Sequence, residues 1–238
     1  MQVRPPRQRF PGPRRLVLAL MLAGSASWAQ QSHLPEVQVR GPRDATIGTA
    51  DSASEGAAER ESFQTRPKLR PGDIVEAVPG VVATQHSGDG KANQYFLRGF
   101  NLDHGTDFAI TVDGMPVNMP THGHGQGYAD LNFLIPDPVS GVRYRKGPYF
   151  ADGGDFSLAG SAQLDYLSVL PAPFAELTLG SNNFKRLLAA GSRTVEDQTW
   201  LAAIELAGND GPWDVPERLR KANGWCASRK ARRCAASA

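Results

Sequence analysis

Cysteine is nearly missing from this 238-residue chain: the two present, Cys226 and Cys234, both lie among the last 14 residues. The rest of the chain therefore holds neither a disulfide framework nor a thiolate metal site. Long apolar runs are also lacking. The run "LVLALMLA" covers residues 16–23, and a helix needs roughly 20 apolar residues to cross a bilayer. Acids are absent from residues 1–29 and 225–238, which carry five and four of the 26 basic residues. That leaves 17 bases against 24 acids in the body, an acidic balance that excludes a nucleic-acid surface. No G-x-S-x-G, no H-E-x-x-H and no phosphate-cradling loop occurs, so the sequence predicts neither an enzyme nor a bound cofactor.

What is present begins with export. Arg4, Arg7, Arg9, Arg14 and Arg15 precede the short apolar run, and small residues follow up to Ala29. This order predicts a signal peptide over 1–29 that uses the general secretory pathway. Residues 33–41, "HLPEVQVRG", form a short β-prone run. Residues 44–61 are rich in Ala, Ser, Gly and Glu with almost no large apolar side chain. Such a composition buries too little surface to order itself and predicts a flexible tether.

Folded texture starts near Leu69. "RPGDIVEAVPG" (70–80) predicts a short helix with Ile74, Val75 and Val78 on one face, stopped by Pro79-Gly80. "NQYFLRGF" (93–100) reads as a strand. "DFAITVDGMPV" (107–117) reads as a hairpin turning at Asp113-Gly114. "GVRYRKGP" (141–148) and "GSAQLDYLSV" (160–169) are two further strands. From Pro171 the pattern changes. In "FAELTLG", Ala175, Leu177 and Leu179 alternate with polar residues, and in "TWLAAIELAG", Trp200, Ala202, Ile204 and Leu206 share a face opposite Glu205. Alternating segments of this length fit a transmembrane β-barrel or the amphipathic strands of a soluble sheet. From Trp225, "WCASRKARRCAASA" is basic and lacks that alternation. It reads as a foreign tail, from a shifted frame or a fused fragment, or else as a natural disordered tail.

Four motifs occur in order over about 100 residues: "VPGV" at 78–81, "LRGF" at 97–100, "VDGMPV" at 112–117 and "VRYRKGP" at 142–148. In this combination the chain resembles the plug domain of TonB-dependent outer-membrane receptors. The resemblance implies an α/β plug domain, a small mixed sheet with short helices, followed by the start of an antiparallel transmembrane β-barrel. The implied organisation is a signal peptide (1–29), a TonB-box segment and flexible tether (30–65), the plug (66–170), the first barrel strands (171–224) and the atypical basic tail (225–238). Its implied plug-motif residues are Arg98, Gly99, Phe100, Asp113, Gly114, Arg143, Arg145, Gly147 and Pro148. Arg98, and after it Arg143 and Arg145, are expected to meet acids on the inner barrel wall, because a guanidinium holds a carboxylate bidentately.

The resemblance also implies a function: energy-coupled uptake of a scarce nutrient, a ferric siderophore or other metal chelate, across the outer membrane of a Gram-negative bacterium. Its implied partner is the C-terminal domain of TonB, in the TonB-ExbB-ExbD complex, which adds a strand to an extended box. Pro35, Glu36, Val37, Gln38 and Val39 are the box candidate. With only about 50 residues of barrel pattern, the chain is expected to be truncated and unable to transport alone, since an open arc leaves unpaired strand edges in lipid. An exported plug-only protein that interacts with TonB without transporting is the other reading.

One stretch carries chemistry of its own. "MPTHGHGQGYAD" (119–130) sets His122 and His124 among glycines, just after the "VDGMPV" turn. Asp103, His104, His122 and His124 include enough donors for a three-ligand zinc site, but no general base or orienting partner marks catalysis. His122 and His124 are therefore either structural, hydrogen-bonding where the glycine-rich loop packs against the barrel wall, or candidates for contact with a metal-bearing ligand, on a loop that faces one end or the other of the plug.

Overall fold

Three sheets account for the strands that the computed structural model describes, over residues 52–67 and 70–230. These residues lie within the unit Pro42–Ala238; the other unit, Met1–Gly41, falls outside the described residues, and with it the signal segment and the box candidate.

The largest sheet is mixed. It contains β1 (Glu55–Glu59), β5 (Phe108–Val112), β6 (Met115–Pro116), β7 (Val139–Lys146) and β8 (Gly160–Tyr166), in the order β1-β7-β8-β5-β6. Strand β5 runs parallel to β8, and β7 antiparallel to it. Alternation explains these strands: Phe108, Ile110 and Val112 of β5, with Ala162, Leu164 and Tyr166 of β8, turn into one core. A second, antiparallel sheet of β2 (Val81–Thr84), β3 (Gln94–Leu97) and β4 (Phe100–Asn101) adds Val81, Ala83, Tyr95 and Leu97 to that core. The third sheet is a four-stranded antiparallel ribbon: β9 (Phe174–Leu179), β10 (Lys185–Val195), β11 (Gln198–Asn209) and β12 (Leu219–Lys230).

Two stretches behave differently from their composition. Residues 55–59 are not part of a tether but the edge strand β1, paired with β7 from Glu55↔Arg145 to Glu59↔Gly141. Backbone pairing on an edge needs no large side chain, and a Cβ at Gly56 would lie 2.7 Å from the Tyr144 hydroxyl. Residues 225–230 are not the start of a tail but the second half of β12, in register with β11 from Asn209↔Leu219 to Gln198↔Lys230. The alternation in β12 is one of size rather than polarity. Lys221, Asn223, Trp225, Ala227 and Arg229 are the half-buried positions, while Ala222, Gly224, Cys226 and Ser228 are exposed. Trp225 packs against both apolar cores and lies 4.1 Å, centroid to centroid, from Tyr166.

Local corrections are smaller. The expected helix is a seven-residue 3₁₀ segment, Pro71–Ala77, started by Pro71 and closed by the Val78 N–H donating to the Val75 carbonyl. The helical segments among the described residues are 3₁₀ turns. The strand expected at 93–100 is a hairpin instead, because Arg98 (φ +53°) and Gly99 (φ +82°) form its two-residue turn. Asp113 (φ +50°) and Gly114 (φ +79°) repeat this geometry between β5 and β6, as expected for a two-residue hairpin loop.

At Gly114 nothing lies within 4 Å of where a Cβ would stand. Gly114→Ala should therefore cost only left-handed backbone strain, about 1–2 kcal/mol, and Gly114→Asn less. Thermal unfolding of the chain in detergent, followed by tryptophan fluorescence, checks both; a loss well beyond that range would mean the turn has another partner.

Candidate functional site

The mixed-sheet domain and the four-stranded ribbon meet through buried charge. Arg186 of β10 stands at the centre, its side chain 7% exposed. Its Nη2 lies 2.5 Å from Asp137 Oδ2, on the loop before β7. The same guanidinium donates through Nε (2.9 Å) and Nη2 (2.7 Å) to Oε2 of Glu205 on β11, and Lys221 Nζ of β12 lies 2.5 Å from Glu205 Oε1. Two cations face two carboxylates, so the group is neutral overall, the condition under which charges stay buried. Further along, Arg229 of β12 pairs with Asp113 at 2.6 Å and donates to the Tyr166 carbonyl at 2.9 Å. Asn223 donates to the Asn132 carbonyl at 2.7 Å, and Asn209 bonds Asp89.

Across this contact the ribbon supplies Arg186 and Arg229 and the mixed-sheet domain supplies Asp137 and Asp113, while Glu205 is the ribbon's own acid. Arg98 is exposed in its hairpin turn and makes no ion pair among the described residues. Its charge acts instead on Lys146, whose ammonium is held below the usual lysine range by burial first and by Arg98 second. Arg143 pairs with Asp165 of neighbouring β8 at 2.9 Å, and Arg145 with Asp152 at 2.8 Å and Glu55 at 3.8 Å. Strand pairing explains this: those acids stand on β1, on β8 or in the turn just after β7, within reach of adjacent side chains. Phe100 is 59% exposed. Gly147 (φ +86°) and Pro148 turn the chain away from β7. Asp113 has the fullest role of the motif residues: besides Arg229, its Oδ1 accepts the Tyr166 N–H at 3.0 Å. Sequence reasoning had noted Glu205 opposite the apolar face but not Arg186, Asp137, Lys221 or Arg229. For Arg186 the signal is a charge on the inward side of an alternating strand; Asp137 lies on a loop, and β12 has no alternation of polarity to mark Lys221 and Arg229.

The second constellation is aromatic and basic. His104 follows the β3–β4 hairpin and is 1% exposed. Its Nδ1 lies 3.0 Å from the Asn93 carbonyl. A carbonyl only accepts, so Nδ1 carries the proton and the lone pair sits on Nε2. That atom is buried with no hydrogen-bond partner, 3.8 Å from Asp103 Oδ1. Burial lowers the His104 pKa, more than its hydrogen bond to Asn93 and the Asp103 charge raise it.

His124 and His122 come from the glycine-rich loop, and the structure separates them. The His124 ring stands 4.6 Å from His104. His122 lies stacked on Tyr128 at 3.9 Å, and its Nδ1 accepts the His124 backbone N–H at 3.1 Å. Asp103, His104 and His124 offer ligand atoms that all lie within 4.8 Å of one another. His86, after β2, adds its ring 5.0 Å from His104. The loop is rooted by buried Asn118, which sequence reasoning missed. Its amide donates to the Gly105, Phe108 and Gly127 carbonyls, and its Oδ1 accepts the Ile110 N–H.

The histidine cluster and the Arg229–Asp113 pair stand toward opposite ends of β5: His104 precedes that strand and Asp113 follows it. Three residues after His86, the Asp89 N–H donates to Glu217 at 3.0 Å, in the connection 210–218 between β11 and β12. Arg229 and Asp113 lie near the other end of the ribbon, where β10 and β11 are joined by Glu196 and Asp197 alone.

Residues 48–161 match the family described as TonB-dependent Receptor Plug Domain. Among solved structures, the chain is similar to the ferric enterobactin receptor of Pseudomonas aeruginosa: TM-score 0.50 and 19% identity, over 68% of this chain and 26% of that one. It is also similar to the copper transporter OprC: TM-score 0.57 and 20% identity, over 75% of this chain and 28% of that one. These likenesses concern the fold, and the chain spans just over a quarter of either protein.

Arg186→Met strands Asp137 and Glu205 in a buried site with less countercharge, a loss of roughly 3–5 kcal/mol. The expected readout is a lower unfolding midpoint together with a red-shifted Trp225 fluorescence, as the ribbon loosens from the plug. An unchanged midpoint would show that the charge group does not hold the two parts together.

Proposed function

This chain belongs to the TonB-dependent receptors, and we propose that it forms the plug and first wall strands of an outer-membrane receptor for energy-coupled uptake of a metal chelate such as a ferric siderophore. The observation that carries the reading is the outer face of the ribbon. Its middle exposes Leu177, Leu187, Ile204 and Leu206, with Trp200 toward one margin and Leu179 at the other, level with Lys185. Cations bound this band: Lys185 and Arg220 sit level with Gly208 at one limit, and Lys230 sits level with Gln198 at the other, with Arg193 two residues inside it beside Trp200. Ten residues of β11 separate these levels, about 33 Å along a strand. At a tilt of about 40° that distance spans about 25 Å, the height of the apolar band of an outer-membrane barrel. The inner face holds the buried charges, and so grips a plug.

The described residues include no helix long and apolar enough to cross a membrane, and a barrel crosses with strands. The carrier reading also draws on the two similar proteins, one a ferric enterobactin receptor and one a copper transporter. TonB transmits the energy in this reading, and its C-terminal domain pairs with Pro35, Glu36, Val37, Gln38 and Val39 by strand addition.

An immobilised TonB C-terminal domain should capture the purified chain, and deletion of residues 35–39 should reduce capture by at least about tenfold. Capture that survives the deletion moves the box elsewhere. No capture of the intact chain removes TonB as its partner.

A further inference from the structure

We propose that Asp103, His104 and His124 bind a divalent transition-metal ion of the zinc, copper and nickel group, directly and without a chelator, at the outward end of the plug. The inference deepens the receptor reading by naming a substrate class; the binding chemistry stands without it.

The argument begins at His104. Its proton is committed to the Asn93 carbonyl, so Nε2 presents a lone pair inside the protein to no donor. Opposite it, at 3.8 Å, is a carboxylate oxygen of Asp103. Two electron-pair donors facing one another are reconciled by a cation between them. A backbone carbonyl that fixes the tautomer of an imidazole is also the usual support behind a metal-binding histidine.

His124 completes a three-ligand set from a separate loop. Bonds of about 2.0–2.1 Å to a tetrahedral metal place its ligand atoms roughly 3.4 Å apart, so the observed 4.8 Å limit calls for a small closure. The neighbouring Gly123 has open space around its Cβ position, which lets His124 make that movement while buried His104 stays fixed. His122 is kept out of the set by its stack on Tyr128 and its bond to the His124 backbone.

Donor chemistry sets the class of metal. Two imidazole nitrogens and one carboxylate oxygen suit borderline ions. Calcium and magnesium prefer all-oxygen sets, and copper(I) prefers sulfur. Three protein ligands leave a tetrahedral position open to water or a passing ligand, as suits an ion that must leave again. The ribbon's connections orient the site. Outer-membrane barrels carry short turns on the periplasmic side and longer loops outside. Asp113, just past β5, pairs with Arg229 near the short Glu196-Asp197 turn, while His104 lies before the start of β5 and His86 lies three residues from Asp89, which bonds Glu217 in the long connection 210–218.

The test uses the full chain, purified without a polyhistidine tag, in detergent. Zinc is titrated calorimetrically and cobalt by visible absorption, which reports tetrahedral coordination. Binding of one ion per chain is expected. Asp103→Asn, chosen because Asn tolerates the φ of +50° at that position, and His124→Ala, at an exposed position, should each weaken binding by at least about tenfold. His122→Ala should change it by less than about threefold, since it removes no ligand. The proposal is overturned if zinc and cobalt fail to bind below about 100 µM, or if both ligand variants bind as the parent does. Capture on TonB, measured on the same proteins, separates the outcomes: zinc binding without capture retains the site and removes the receptor reading, and capture without zinc binding does the reverse.

Discussion

Arg186 is the point at which two unlike pieces of this protein become one. A guanidinium on the second wall strand is buried against one carboxylate from the plug and one from the next strand. Its desolvation is offset only while both acids and Lys221 keep their places. Such a group fixes geometry more than it adds stability, because a charge that slips out of register loses its partner entirely. The consequence is a plug seated at one height on the wall. From that height follow the pairing of Arg229 with Asp113 near the short-turn end and the bond from the Asp89 backbone N–H to the Glu217 carboxylate near the long connection.

The receptor motifs were legible in sequence where local chemistry dictates them. The Asp113-Gly114 turn needs two left-handed residues, and the alternation of Phe108, Ile110 and Val112 needs a core on one side. Strands β1 and β12 escaped notice for a shared physical reason. Their place comes from backbone pairing with β7 and β11, and their side chains are small or polar. Composition reports what a segment buries, and an edge strand or a wall strand over a polar interior buries little. Trp225 was visible but stood at a supposed boundary, because arginines and cysteines follow it closely.

The chemistry of the site divides in a similar way. Residue type alone marked Asp103, His104, His122 and His124 as possible metal donors. Which of them converge depends on how a hairpin and a loop fold over one another. Two histidines two positions apart look like the natural pair. In the structure the backbone and Tyr128 take one of them away, and His104, 20 residues from His124 in sequence, becomes its partner. The inner-wall arginines could not be located either, since pairing across strands requires the register that only the fold supplies.

The edge position of β1 has a mechanical side. Traction on the chain ahead of Glu55 meets first the five paired residues of β1 and β7 and the Glu55–Arg145 contact. Of that strand only Ala58 is buried, so peeling it from the sheet breaks hydrogen bonds but opens almost no void in the core. Directly behind it the chain is anchored: Arg60 donates to the carbonyls of Asp137 and Val139, and Phe63 is sunk in the main core. A pull from this end therefore meets a zipper and then a stop. The stop lies on the backbone of Asp137, the residue whose side chain holds Arg186, so force that passes the zipper arrives at the latch between plug and wall.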